Sequence, residues 1–434
     1  RRKIVEEPLA IRQLKRFAAD YNLQHSNTFV PEKLPAKNRK VAVVGGGPSG
    51  LTCGYYLSNW GYDVTVFEGA PKAGGWLRYG IPEYRLPKKI LDQEIKLMCR
   101  NGMKIKTDTL VGIDITLSEL SRKFDAVYLA MGAQNAVPMN IEGSDLKGCY
   151  LGVDFLKDYV MGRITAIGGK VAVIGGGNTA VDCARTARRL GAEVTIIYRR
   201  TRKEMPAEAY EVDAAEEEGI KMLFLTNPVQ NIGKKGKLTA LKLEKMKLGE
   251  PDASGRCRPE PTGEFYEEEF DTMIAAISQA PEVNFLAEEK NKIEGKVIPL
   301  TRWSTAVVDE ETMHIGLVNL FAGGDFRRGP ATAIEAIADG RRAAQSIERY
   351  LSRKMLIDPV KLFDAKKELN LKDVDPEQYT QYPRINRYRM PELEAEDRVK
   401  NFHEVELGFS EQEARAEAAR CLECGCLVNS TCDL

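Results

Sequence analysis

The sequence predicts an α/β protein built from two parallel-sheet units, and two observations predict it. Residues 40–68 read as strand, glycine-rich turn, helix and second strand, and the same pattern returns from Lys170 onward. In the first copy the apolar run Val41, Val43, Val44 leads into Gly45-x-Gly47-x-x-Gly50, a helix-length segment follows, and a second apolar strand ends on Glu68. The first glycine permits the tight turn, the second lets backbone N–H groups approach phosphates, and the third lets helix pack on strand, while the helix N-terminus adds partial positive charge. In the second copy residues 170–196 lie on residues 40–66 without a gap, with 11 of 27 positions identical. Gly175, Gly176 and Gly177 fall on Gly45, Gly46 and Gly47, Cys183 on Cys53, and Gly191 on Gly61. The expected fold is therefore two Rossmann-like three-layer dinucleotide-binding domains, with helical N-terminal and cysteine-rich C-terminal extensions.

The differences between the copies carry chemistry. Glu68, at the end of the second strand, stands where a carboxylate accepts hydrogen bonds from a ribose diol. In the second copy Gly50 becomes Ala180, a permitted variant, and Glu68 becomes Tyr198 followed by Arg199 and Arg200. A carboxylate suits a free 2′-hydroxyl, whereas guanidinium groups grip a 2′-phosphate in a fork. The first unit should hold an adenine dinucleotide with an unmodified ribose, and the second should prefer NADPH, with NADH as the weaker partner. The plainer alternative for the two arginines is a solvated strand end.

With 434 residues, two or three domains and a sizeable core are expected. Lys plus Arg and Asp plus Glu both number 63, so no net field favours nucleic acid or an anionic membrane. No apolar run approaches the ~18 residues of a membrane span, and no signal-peptide pattern opens the chain. The first residue is Arg1, which fits a piece of a longer polypeptide. Of nine cysteines, four stand singly in apolar segments (Cys53, Cys99, Cys149, Cys183) and four crowd the C-terminal end. That distribution points to a reducing compartment, hence the cytoplasm, with one local metal site.

In chain order, residues 1–38 read as an accessory segment whose helix repeats Ile11, Leu14, Phe17, Ala18 and Tyr21 and packs on the next domain. Gly74 and Gly75 make a turn that passes close to a ligand, and Arg85 follows between two prolines. Residues 125–132 form an inner strand returning to the first ligand, and residues 149–169 are the expected crossing into the second unit. On the helix of that unit Arg185, Arg188 and Arg189 read as a solvated face. Residues 227–269 are polar and suggest a hairpin, with Cys257 incidental, and residues 271–278 are a buried strand. The chain then returns to the first domain. Residues 317–325 are a strand ending in Gly-Gly-Asp, and residues 330–351 are a helix with Ile334, Ile337, Ala344 and Ile347 on one face. Asp325 is placed to accept from a ribityl hydroxyl or, alternatively, to cap that helix.

Taken together, GxGxxG with Glu68, GGWLRYGIPEYRLP, the LAMG strand end, GGGNTAVD with YRRTRKEMPA, and AGGDFRRGPATAIEAIADGRRAA resemble the small subunit of bacterial glutamate synthase and its relatives, which include the flavin domain of dihydropyrimidine dehydrogenase. The resemblance covers nearly the whole chain. It implies an FAD domain (residues 39–150 and 286–352) split around an inserted NADPH domain (residues 151–285), followed by a C-terminal extension (residues 353–434). By carry-over, Gly45, Gly47, Ser49, Gly50, Glu68, Gly75, Arg85, Gly324, Asp325, Ala331 and Thr332 would contact FAD. Gly176, Gly177, Asn178, Thr179, Arg199, Arg200 and Ile277 would contact NADPH. Met131 departs from the family, which usually has threonine there.

The tail bears on where electrons go. Ser410 with Glu413 forms a capping box that starts a helix running into Cys421-x-x-Cys424-x-Cys426, with Cys432 beyond them. Four thiolates at this spacing can surround an iron–sulfur cluster, and a structural zinc site is the competing arrangement. In the resembling family such segments bind [4Fe-4S] clusters, and related sequences carry further cysteines upstream of a segment like residues 1–21, so the four here serve one cluster alone or share with others. His25, His314 and His403 are the only histidines, none is in a motif, and no catalytic acid, base or nucleophile is expected. The expected activity is hydride transfer from NADPH to FAD, with single electrons passing on to a partner subunit or fused domain that carries iron–sulfur clusters. Two rival readings are a disulfide reductase of the thioredoxin-reductase type and a non-catalytic flavin-binding scaffold.

Overall fold

The structure is a computed structural model that describes residues 2–25, 30–251, 255–354 and 375–422. The described residues fall into two compact units, one made from both chain termini and the other from residues within 31–357 and 395–403.

The larger unit contains two five-stranded parallel sheets of the same design. The first runs in the order Leu320–Ala322, Ala126–Leu129, Lys40–Val44, Asp63–Phe67, Lys104–Lys106, and the second in the order Cys149–Leu151, Thr272–Ala275, Lys170–Ile174, Glu193–Tyr198, Lys221–Phe224. The repeat seen in the sequence is also a repeat of register: Lys40 pairs with Asp63 and Lys170 with Glu193. Short β-branched runs fit these central strands because both faces are covered. Val41, Val43, Val64 and Val66 pack with Leu51, Leu57, Ala344 and Ile347 of the helices Pro48–Asn59 and Ala333–Leu351. Val171, Val173, Val194 and Ile196 likewise pack with Cys183 and Ala184 of the helix Asn178–Arg189 and with Phe155 and Leu156 of the helix Gly152–Val160.

The crossing between the sheets differs from the expectation. Cys149–Leu151 is a strand of the second sheet, paired with Thr272–Ala275. The two connections are the antiparallel pair Asn135–Ala136 and Gln279–Ala280. A strand as short as Cys149–Leu151 cannot show alternation, so its pattern carries no strand signal. The polar stretch folds as a three-stranded antiparallel sheet, Thr226–Lys234, Lys237–Pro251 and Cys257–Glu269. Its Leu238, Leu241 and Leu243 cover the second sheet beside Ala172 and Met273.

Two other expectations are corrected. Arg185 and Arg189 are buried rather than solvated: both donate to Glu218, and Arg185 also donates to Glu211. The last long helix begins at Ala333, capped by Thr332 in a reciprocal pair with Glu335, and Ile334 and Ile337 are exposed while Ala344 and Ile347 are buried. No described helix is long and apolar enough to cross a membrane.

In the smaller unit the helix Ile11–Gln24 packs on the C-terminal segment, with Leu14 and Phe17 against Ala10, Phe409 and Ala414. The helix Glu411–Ala419 starts with the expected Ser410–Glu413 capping box. Buried Arg420 donates to Glu417, Glu6 and the carbonyls of Glu7 and Ile385, which fixes the residue just before Cys421.

Candidate functional site

Both glycine-rich turns are made in the same way. Gly45 has φ +102°, and a Cβ there would lie 2.3 Å from the carbonyl oxygen of Ala130 at the end of the neighbouring strand. Gly175 has φ +143°, and a Cβ there would lie 2.3 Å from the carbonyl oxygen of Ala276. Each turn is therefore closed against a strand end at a distance that only glycine allows. Gly47 and Gly177 then cap the helices Pro48–Asn59 and Asn178–Arg189, leaving first-turn N–H groups directed at whatever occupies the turn. Gly50 packs inside the first unit, where a Cβ would come within 2.0 Å of the Gly45 carbonyl oxygen.

Around the first turn, Glu68 is nearly buried and accepts from the N–H groups of Gly46 and Ala70, both at 2.8 Å. Burial raises its pKa, and these backbone donors oppose the shift. Gly75, with φ +52°, brings its Cα side against Gly47, where a Cβ would be 2.7 Å from the Gly47 Cα. Gly324, with φ +62°, lies against Ser49, whose hydroxyl is hydrogen-bonded to the Tyr128 hydroxyl at 2.7 Å. Asp325 opens the one-turn helix Asp325–Arg328 and does not cap the following one. Burial pushes its pKa up to about 6, with Glu335 and Asp339 adding to the shift and the N–H of Ala331 and Arg328 opposing it.

Around the second turn, the Tyr198 ring lies beneath Gly176, where a Cβ would be 2.5 Å from the ring, and its hydroxyl donates to the Glu204 carbonyl at 2.8 Å. Arg199 is exposed, whereas Arg200 is buried and its Nε donates to the Cys257 carbonyl at 2.7 Å. Asn178 accepts from the Glu208 N–H at 3.1 Å, and Thr179 accepts from the Gln279 amide at 3.1 Å. Arg85 donates to both oxygens of Asp182, at 2.9 and 2.8 Å, and pairs with Glu211 at 2.8 Å.

One cleft of about 1930 Å³ is lined by both turns and by every residue expected to touch a dinucleotide except Gly50. Pockets for a single drug-sized ligand span roughly 300–1,000 Å³, so the cleft has room for two larger ones. Sequence reasoning missed Trp76, Lys157, Gln279 and Arg256 of the lining. Trp76 lies within a family-like stretch but was not singled out, and the other three belong to no motif; Arg256 comes from the hairpin stretch, which has no positional signal. Of the expected metal ligands, Cys421 is exposed, and Cys424, Cys426 and Cys432 lie outside the described residues. Cys53 and Cys183 are buried and unpaired, and burial raises both thiols.

Residues 30–340 match the family described as pyridine nucleotide-disulphide oxidoreductase. The chain is 40% identical over 459 residues to the NADPH-Fe(3+) oxidoreductase subunit beta of Geobacter sulfurreducens, covering 98% of this chain and 67% of that protein. It is 35% identical over 328 residues to the glutamate synthase [NADPH] small chain of Azospirillum brasilense, covering 72% of this chain and 67% of that one. Among solved structures, Mycobacterium tuberculosis FprA in complex with NADPH superposes with a TM-score of 0.61 at 21% identity, covering 73% of this chain and 85% of that one, a likeness of fold. Two glycine cradles of one design opening into one cleft, together with these relatives, make the chain an oxidoreductase of the pyridine nucleotide-disulphide oxidoreductase family, in the group that includes the glutamate synthase small chain.

Proposed function

We propose that the chain binds FAD in its first unit and NADPH in its second, accepts a hydride from NADPH, and hands single electrons to a partner subunit or domain through an iron–sulfur cluster on Cys421, Cys424, Cys426 and Cys432. The observation that carries this is the shared cleft: one cradle ends in the carboxylate Glu68, the other in the exposed guanidinium of Arg199. The residues fit the two nucleotides. Gly45, Gly75 and Gly175 let the turns close on neighbouring backbone where a Cβ would clash, and both helix N-termini offer first-turn N–H groups to a pyrophosphate.

Bound FAD supplies a hydride acceptor that can release electrons singly. The chain's own residues bind and orient. Glu68 and Asp325 offer carboxylates to ribose and ribityl hydroxyls, and Arg199 offers charge to a 2′-phosphate. Hydride transfer between two bound nucleotides needs placement, not a protein acid or base, so no residue is assigned that role. The partner reading is supported by relatives that are named as subunits or chains of larger enzymes. Single buried cysteines such as Cys53 and Cys183 support a cytoplasmic setting.

The two sites are separated by mutation. Glu68→Ala should lose flavin, while Arg199→Ala should keep flavin and its reduction by NADH but lose the advantage of NADPH. Flavin that stays oxidised in the wild-type protein under excess NADPH would sink the proposal.

A further inference from the structure

The two arginines after Tyr198 are adjacent in sequence, yet the fold gives them different tasks. Arg199 is exposed and lines the cleft. Arg200 is 8% exposed, and its Nε is committed to the Cys257 carbonyl on a distant strand. Cys257 begins the outer strand of the antiparallel sheet and pairs with Pro251 across the hairpin. The residue just before it is Arg256, which is exposed and lines the same cleft together with Arg199, Thr226 and Asn227. The anchor thus sets the position of a third arginine at the strand end of the nucleotide unit.

Among the described residues, these segments contribute Tyr198, Arg199, Arg200, Thr226, Asn227 and Arg256 to the cleft wall. The guanidinium groups of Arg199 and Arg256, on one cleft wall, complement a group carrying close to two negative charges and several acceptor oxygens, which is a phosphate monoester. A nicotinamide dinucleotide carries one only at the 2′-position of its adenosine.

Resting on the NADPH assignment above, we infer that Arg256, delivered by the antiparallel hairpin, binds the 2′-phosphate together with Arg199, and that Arg200 is a positioning residue holding the hairpin at Cys257. The hairpin is then a specificity element of the nucleotide site and not only a cover for the second sheet.

The test uses the full FAD-loaded chain and two small probes, 2′,5′-ADP and 5′-AMP, whose binding is measured by calorimetry and by inhibition of NADPH-driven flavin reduction. Arg256→Gln should weaken 2′,5′-ADP about tenfold or more, the loss typical of a charge-assisted hydrogen bond, and leave 5′-AMP unchanged. Equal affinities of wild type and Arg256→Gln for 2′,5′-ADP, with Arg199→Gln still impaired, would overturn the inference and leave the NADPH assignment standing. A wild-type protein that does not distinguish the two probes would instead overturn the NADPH assignment. Arg200→Gln should cost 2′,5′-ADP binding in the wild type but little when Arg256 is already Gln, because its effect passes through the hairpin. Fully additive losses would make Arg200 a direct ligand and refute its positioning role.

Discussion

Arg85, from the loop after the first glycine-rich unit, holds both carboxylate oxygens of Asp182 through one guanidinium nitrogen, at 2.9 and 2.8 Å. Asp182 lies on the helix that begins at the second glycine turn, so the pair ties a loop that follows one cradle to the helix of the other. Arg85→Ala would leave Asp182 and Glu211 buried without this cation, at a cost of about 3–5 kcal/mol in chemical denaturation. The double change Arg85→Met with Asp182→Leu should cost far less than the two single changes summed. Additive losses would show that the pair is not coupled.

The repeat allows a matched comparison at its third glycine. Gly50→Ala would place a Cβ 2.0 Å from the Gly45 carbonyl oxygen, forcing helix and turn apart. The expected outcome is loss of flavin retention and about 1–3 kcal/mol of stability. At the equivalent position, Ala180→Gly should cost only about 1 kcal/mol, from helix propensity, and keep NADPH binding. Similar effects at both sites, read by flavin absorbance and thermal melting, would contradict the packing difference.

Asp325 predicts a pH dependence of flavin binding. Burial pushes its pKa up to about 6, so below that pH it carries a proton, and a donor hydroxyl prefers the ionised form. Binding must then expel the proton, and flavin affinity should rise about tenfold from pH 5 to pH 7 and level off above. Asp325→Asn should show a flat profile over the same range. Parallel profiles for the two proteins, followed by flavin fluorescence, would remove Asp325 from the binding role.

What the sequence makes legible is the local chemistry of the repeat. Strand, turn and helix follow one another directly in the chain, and Gly45, Glu68, Gly175 and Arg199, which all line the cleft, are each picked out by residue type and spacing. Partners distant in sequence are not legible. Arg185 and Arg189 read as a solvated face because the carboxylates that bury them, Glu211 and Glu218, lie on and just after a separate helix, Ala209–Glu217. Ile334 and Ile337 fit a helical stripe, yet the face that packs is the one carrying Ala336, Gly340, Ala343 and Ile347. Small residues allow close approach there: a Cβ on Gly340 would lie 2.2 Å from the Ser49 carbonyl oxygen. Arg256 reaches the cleft only because a hairpin returns it there.

The proposed path from NADPH through flavin to a cluster is tested most directly on protein purified without oxygen. Iron, acid-labile sulfide and flavin are quantified per chain, and the visible spectrum is followed during NADPH titration. The account predicts flavin bleaching together with roughly four iron and four sulfide per chain. Flavin bleaching without iron, and with a reducible bond between Cys421 and Cys424, would contradict it and make the protein a dithiol reductase.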